Sequence, residues 1–304
     1  MEDGADDDGP GDDSADDSAD DGADDGDDAA DGEGGDDDPT GDGADDGATD
    51  DDGDDGPIDD CPDEEFPALT PHPANSAYPD PELSVTCTND MMTVEANGIP
   101  AYEFVQTTPN ALQAQDHAWQ VPLHPEHTGV ATNIPLLGPA AVAVNGVPIY
   151  GPNEGAFPDP YGDPIYNDIL DDCLGHTAGM GDYHNHALVV ECLRGETPAG
   201  EPSPIIAYAF DGYPIYGPLG CTDDACSEVV QYQSGWVLTG NPGTYAWDAY
   251  SYLPSGDDTV LDKCNGRVLP DGTYAYHATA GFPYIIGCYA GTPVDNGGMG
   301  MPPT

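Results

Sequence analysis

Two short segments of this chain repeat each other inside matching cysteine frames. Cys173-Leu174-Gly175-His176 leads into Asp182-Tyr183-His184-Asn185-His186, and Cys192 follows. Cys264-Asn265-Gly266-Arg267 leads into Thr273-Tyr274-Ala275-Tyr276-His277, and Cys288 follows. A chain that writes the same unit twice must fold each copy along the same local path, and paired cysteines would close each path covalently. Four of the eight histidines fall in these two segments.

The eight cysteines are even in number. They read as four disulfides: Cys173 with Cys192, Cys264 with Cys288, the local pair Cys221 and Cys226, and the remaining Cys61 and Cys87. Spacing alone leaves the connectivity open. A zinc site using Cys221 and Cys226 is the rival reading, against which the chain offers no Cys-x₂-Cys pair. Four disulfides imply an oxidising setting, so the expected location is secreted, periplasmic or cell-surface. The residues after Met1 are acidic rather than a basic and then apolar leader. The cysteines therefore favour numbering that begins after a removed signal or lipid anchor.

Charge divides the chain. Residues 1–65 carry 33 of the 60 acidic side chains and no Lys or Arg. Such a segment buries too little apolar surface to offset the entropy of ordering, so it is expected to be a disordered acidic stalk. It lacks EF-hand spacing and would hold Ca²⁺ only weakly. A lipid or cell-wall anchor upstream of it fits the same expectation. The remaining 27 acidic residues face three basic ones, Arg194, Lys263 and Arg267. That surface repels nucleic acid and anionic membranes and fits a protein adapted to high salt. No apolar run approaches a membrane span, and three basic residues leave little for phosphate chemistry.

Residues 66–294 are expected to form one β domain, with 295–304 a flexible tail. Thirty-two prolines and 40 glycines leave little room for long helices. Tyr166–Cys173 and Asp223–Tyr232 are places for a short helix or turn, and 240–255 reads as loop or irregular strand. A second repeat marks turns. Asn97-Gly98-Ile99-Pro100, Asn145-Gly146-Val147-Pro148 and Asp211-Gly212-Tyr213-Pro214 each follow a strand-like run. Asn-Gly and Asp-Gly there predict type I′ hairpins, each followed by a proline at a strand end or edge.

Side chains alternate along a strand, so His184 and His186 share a face and could give two ligands to one metal. Aligning the copies sets His277 on His186. If the copies meet, His184, His186 and His277 form a three-imidazole centre for copper or zinc, with His176 as a fourth ligand or supporting partner. Tyr183, Tyr274 and Tyr276 would surround it, and Asp182 or Asp211 would orient a histidine for acid–base work. The competing readings are a metal-dependent oxidoreductase or hydrolase using a Tyr/His/Asp pocket, and a structural or adhesive module whose Tyr and His are hydrogen-bonded core. His117, His124 and His127, three histidines within eleven residues, could add to a site but read first as loop histidines in a stretch rich in turn formers. No nucleophile elbow, phosphate loop or His-Glu-x-x-His motif is present.

From about Val85 to Gly291 these pieces occur in an order that resembles the YHYH domain family. The series runs Asn97-Gly98-Ile99-Pro100, Trp119-x-x-Pro122-Leu123-x-Pro125, Val142-Ala143-Val144-Asn145-Gly146-Val147-Pro148-Ile149-Tyr150, Cys173-x-Gly175-His176, Tyr183-His184-Asn185-His186 and Ala209-Phe210-Asp211-Gly212-Tyr213-Pro214-Ile215-Tyr216-Gly217-Pro218. The naming Tyr-His-Tyr-His stands here as Tyr-His-Asn-His, and as Tyr-Ala-Tyr-His in the second copy. The resemblance implies one exported or cell-surface domain and names no reaction.

Overall fold

A computed structural model describes residues 61–155 and 161–299. The acidic stalk up to residue 60 and residues 300–304 of the C-terminal tail lie outside them. Strands dominate. β1 (Leu83–Cys87), β2 (Met91–Ala96) and β3 (His117–Pro122) form an antiparallel sheet in the order β1-β2-β3. Met92, Val94 and Val121 point inward from it and are almost fully buried, as period-2 alternation requires.

The second sheet is built from a duplicated unit. The first half holds β4 (Pro139–Ala143), β5 (Pro148–Tyr150), β6 (Gly175–Thr177) and β7 (Tyr183–Asn185). The second opens with β8 (Ile205–Ala209) and β9 (Pro214–Tyr216). Two small hairpins follow: β10 (Leu219–Cys221) with β11 (Val229–Gln231), and β12 (Trp236–Leu238) with β13 (Tyr250–Tyr252). The second half then closes with β14 (Gly266–Val268) and β15 (Tyr274–His277). The strand order is β14-β15-β9-β8-β4-β5-β7-β6. Each half contributes two antiparallel hairpins joined by a parallel contact, β5 with β7 and β9 with β15. The order is palindromic about the β4–β8 pair. There Val142 lies opposite Tyr208, flanked by Ala141 opposite Ala209 and Ala143 opposite Ala207. That register is a local two-fold axis through the sheet.

β4 is buried at every position, as a central strand covered on both faces should be. Val142, Ile149, Ile206 and Ile215 are all inaccessible to solvent and join the two halves in one core. Burying each is worth roughly 1.5–3 kcal/mol.

The two hairpin turns differ from the type I′ expectation. Gly146 N donates to Ala143 O at 2.8 Å, Ala143 N donates to Val147 O at 2.9 Å, and only Gly146 has positive φ. Gly212 repeats the pattern with Ala209 and Tyr213. This is the longer turn with a left-handed glycine bulge, in which Asn145 and Asp211 need no positive φ. Instead, the Asn145 side chain accepts from Val147 N. The third unit, Asn97-Gly98, makes no hairpin. The Asn97 side chain binds Glu82 N, Asp80 O and Ile99 N, and the chain runs on past β2. Pro148 and Pro214 head β5 and β9, where no ladder donor is lost.

Helix is limited to α1 (Val190–Arg194), α2 (Ala246–Ala249) and three single 3₁₀ turns among the described residues. No described helix is long and apolar enough to cross a membrane. Four disulfides close Cys61–Cys87, Cys173–Cys192, Cys221–Cys226 and Cys264–Cys288.

Candidate metal centre

Each cysteine frame is organised by an aspartate that precedes it, Asp171 buried and Asp262 half-buried. Asp171 Oδ1 accepts from Cys173 N at 3.0 Å and Gly175 N at 3.1 Å, while Oδ2 accepts from the Tyr183 hydroxyl at 2.8 Å. Asp262 does the same with Cys264 N (2.8 Å), Gly266 N (2.9 Å) and the Tyr274 hydroxyl (2.8 Å). Between them, Leu174 and Asn265 take matching left-handed conformations, φ 61° and 69°. Gly175 and Gly266 are needed because a Cβ at either would overlap the tyrosine hydroxyl. This frame pins the hairpin of β6 and β7 in one half and of β14 and β15 in the other.

On β7 alternation then sorts the side chains. Tyr183 and Asn185 face one side, where Tyr183 packs on Tyr102 and Phe104. His184 and His186 face the other, joined by His176 from directly across the β6–β7 ladder. Glu154, four residues after β5, closes the group, and one ligand atom from each of these four lies within 4.8 Å of the others. His186 Nε2 sits 3.1 Å from His184 Nε2, 3.2 Å from His176 Nε2 and 3.2 Å from Glu154 Oε2. His176 Nε2 is 2.6 Å from the same carboxylate oxygen. The imidazoles are 1–2% exposed; the Glu154 side chain, at 29%, is the one ligand that reaches toward solvent.

These contacts decide what the cluster can do. His186 Nδ1 lies 2.7 Å from Gly151 O and His184 Nδ1 lies 3.3 Å from Asp182 O. A carbonyl only accepts, so both Nδ1 atoms carry the proton and both Nε2 atoms present lone pairs. Two lone pairs meeting at 3.1 Å repel unless a cation lies between them. Burial, and the neighbouring His186 and His176, push His184 well below the usual imidazole range, so it stays neutral. Burial alone would raise the Glu154 carboxyl. The adjoining imidazoles of His176 and His186 outweigh that and hold it well below the usual range. Three imidazoles and one carboxylate could thus hold a metal ion. A tetrahedral ion with bonds of about 2.0–2.1 Å spaces its ligands about 3.4 Å apart, close to the 3.1–3.2 Å that separate His186 Nε2 from the other three. A square-planar ion would leave each ligand about 4 Å from the one opposite, whereas His186 Nε2 has all three others within 3.2 Å.

His184 is also held from behind. The Tyr150 ring stacks on it at 4.0 Å between centroids, and the Tyr150 hydroxyl donates to Asp182 Oδ2 at 3.3 Å. Asp182 Oδ1 in turn lies 3.3 Å from His117 Nε2. Such outer contacts fix ring orientation and ligand basicity.

Several expected members of the site are elsewhere. His277 does not join His184 and His186. The two-fold sets β15 and β7 on opposite sides of the β4–β8 centre with four strands between them, about 24 Å at ordinary strand spacing. There His277 Nδ1 donates to Gly217 O at 2.9 Å, as His186 does to Gly151. Tyr183, Tyr274 and Tyr276 surround no metal centre, because alternation turns them to the far face, where each donates to an aspartate. Asp211 orients no histidine; its Oδ2 takes the Tyr276 hydroxyl and Gly291 N. His124 binds Asn89 O, and His127 accepts from Gly129 N.

Sequence reasoning missed Glu154 and Tyr150. The signal was present in the turn repeat: Tyr150-Gly151-Pro152-Asn153-Glu154 aligns with Tyr216-Gly217-Pro218-Leu219-Gly220. The second half therefore replaces Glu154 by Gly220, His176 by Arg267 and His184 by Ala275, keeping only His277.

No curated protein and no solved structure matches the chain. A family model described as YHYH protein matches residues 118–291, more than half of the sequence and all of both halves of the duplicated sheet. With both histidine-bearing hairpins inside that match, the chain belongs to the YHYH family.

Proposed function

We propose that this is an exported, disulfide-bonded protein that holds one divalent zinc ion through Glu154, His176, His184 and His186. The observation that carries the reading is the convergence of three buried imidazoles and one carboxylate, with a ligand atom from each within 4.8 Å of the others. Four protein ligands, with His186 Nε2 within 3.2 Å of all three others, favour zinc over copper(II), which prefers a planar set. A carboxylate is too hard a ligand to favour copper(I). Four ligands leave no open coordination position, so the centre supports a structural or metal-holding role better than hydrolysis. The four disulfides support export.

Metal analysis of the purified chain, stripped with chelator and reloaded, tests this. One zinc per chain is expected, with cobalt(II) in its place giving the intense visible bands of tetrahedral coordination. His186→Ala and Glu154→Gln should each lower zinc affinity by at least tenfold, since loss of even an outer hydrogen-bonding partner costs about 10–100-fold. No stoichiometric metal, or copper(II) bound with zinc excluded, would overturn it.

A further inference from the structure

We infer that the second half of the sheet, where the metal ligands are lost, has become a pocket for a small organic ammonium ligand with an apolar body. A cavity of about 290 Å³ opens at the position equivalent to the metal centre, beside Gly220 and His277. Gly220 stands where the first half has Glu154. A Cβ there would strike the Tyr232 ring, so the lost carboxylate has been exchanged for aromatic wall.

The polar atoms around this cavity are overwhelmingly acceptors. His277 is 2% exposed, and its Nδ1 hydrogen bond to Gly217 O leaves Nε2 as a lone pair that finds no partner. Asp223, Asp224 and Asp271 stand at the rim. Hydrogen bonds from Ser227 to Asp223 and from Thr273 to Asp271 favour the ionised carboxylates. The Tyr232 hydroxyl is already committed to Cys221 O. Tyr216, Leu219 and Leu269 supply the apolar wall. No Lys or Arg lines it. Arg267 is the opposing charge: its guanidinium lies 4.4 Å over the Tyr232 ring, and Nε donates to Val268 O. Three carboxylates outnumber it at the mouth. Acceptors, carboxylates and aromatic rings together select an N–H donor with positive charge, and an anion would meet the carboxylates first.

The test titrates the full chain at low ionic strength with benzylamine, benzyl alcohol and benzoate, followed by calorimetry and by histidine NMR shifts. Benzylamine should saturate and move the His277 ring signals, benzyl alcohol should bind at least tenfold more weakly, and benzoate should not bind. Asp223→Asn combined with Asp271→Asn should weaken benzylamine about three- to tenfold, a modest effect because both carboxylates are exposed and screened. Leu269→Trp, at a half-buried wall position, should abolish binding. Equal affinity for the alcohol, preference for benzoate, absence of saturation, or unchanged binding in Leu269→Trp would each overturn the inference. Zinc stoichiometry measured on the same samples reports on the other half of the sheet alone, so either reading can fail without the other.

Discussion

At the scale of single residues, His186 and His277 show how one ancestral position can serve two ends. Both come from the last residue of the same motif, and both give Nδ1 to a Gly-Pro carbonyl. His186 Nε2 meets two imidazoles and a carboxylate, whereas His277 Nε2 meets none. Burial holds His277 down to about 4, against an ordinary value near 6.5, with Arg267 adding to the effect and the Gly217 hydrogen bond opposing it. The unfolded chain therefore takes up a proton as pH falls through 6.5, while the folded chain takes none until about 4. Stability is complete above pH 6.5 and is lost between 6.5 and 4, by about 3 kcal/mol in all. Urea unfolding of the chelator-treated protein at pH 7.5 and 4.5 should show that loss, and His277→Gln should show about 2–3 kcal/mol less of it. Equal pH dependence in the two proteins would refute the assignment. His184 and His186 were legible as a ligand pair because strand alternation is local. Glu154 was not, since it stands in a Gly-Pro turn on a different hairpin and only tertiary packing brings it to the imidazoles.

At the scale of elements, the conserved part of each half is the frame. The Asp171–Cys173–Gly175–Tyr183 arrangement and its twin Asp262–Cys264–Gly266–Tyr274 share bond for bond the same hydrogen bonding. Tyr183→Phe or Tyr274→Phe leaves one carboxylate oxygen, of buried Asp171 or half-buried Asp262, short of a donor. Each should lower stability by about 1–3 kcal/mol, readable by chemical denaturation. Because both tyrosines lie on the face away from His184 and His186, zinc stoichiometry should stay at one per chain in both variants. Loss of zinc from Tyr183→Phe would mean that the frame, not alternation, positions the ligands. The repeat, its cysteine frames and the strand–turn units were readable from sequence because each is short-range. The position of the second copy was not. Alignment of His277 with His186 establishes equivalence, but the two-fold axis between β4 and β8 sends equivalent residues to opposite sides, and an axis is a property of packing. The turn type was misjudged for a related reason. Asn-Gly and Asp-Gly serve a type I′ turn or a left-handed glycine bulge, and the sheet takes the second with Gly146 and Gly212.

At the scale of the whole molecule, the charge is the dominant unresolved force. The chain carries a formal net charge of −57 with three Lys and Arg residues, and Arg194 with Glu65 forms the one Lys/Arg–carboxylate ion pair among the described residues. Like charges repel more strongly in the compact state than in the unfolded chain, so folding works against this field. Salt shortens its reach, from a Debye length of about 10 Å at 0.1 M to about 3 Å at 1 M. The melting temperature should therefore rise with KCl and level off near molar concentration, once neighbouring surface carboxylates are screened from one another. KCl is the suitable salt because it lacks the strong exclusion from protein surfaces by which sulfate stabilises nearly any fold. Sucrose, which is also excluded but carries no charge, should give a steady rise without the early steep phase. A chain stabilised chiefly by local ion pairs would lose them to screening and melt lower in KCl. A flat or falling curve between 0.05 and 1 M KCl would show that the field is not what limits stability, and the salt-adapted reading of the composition would fall with it.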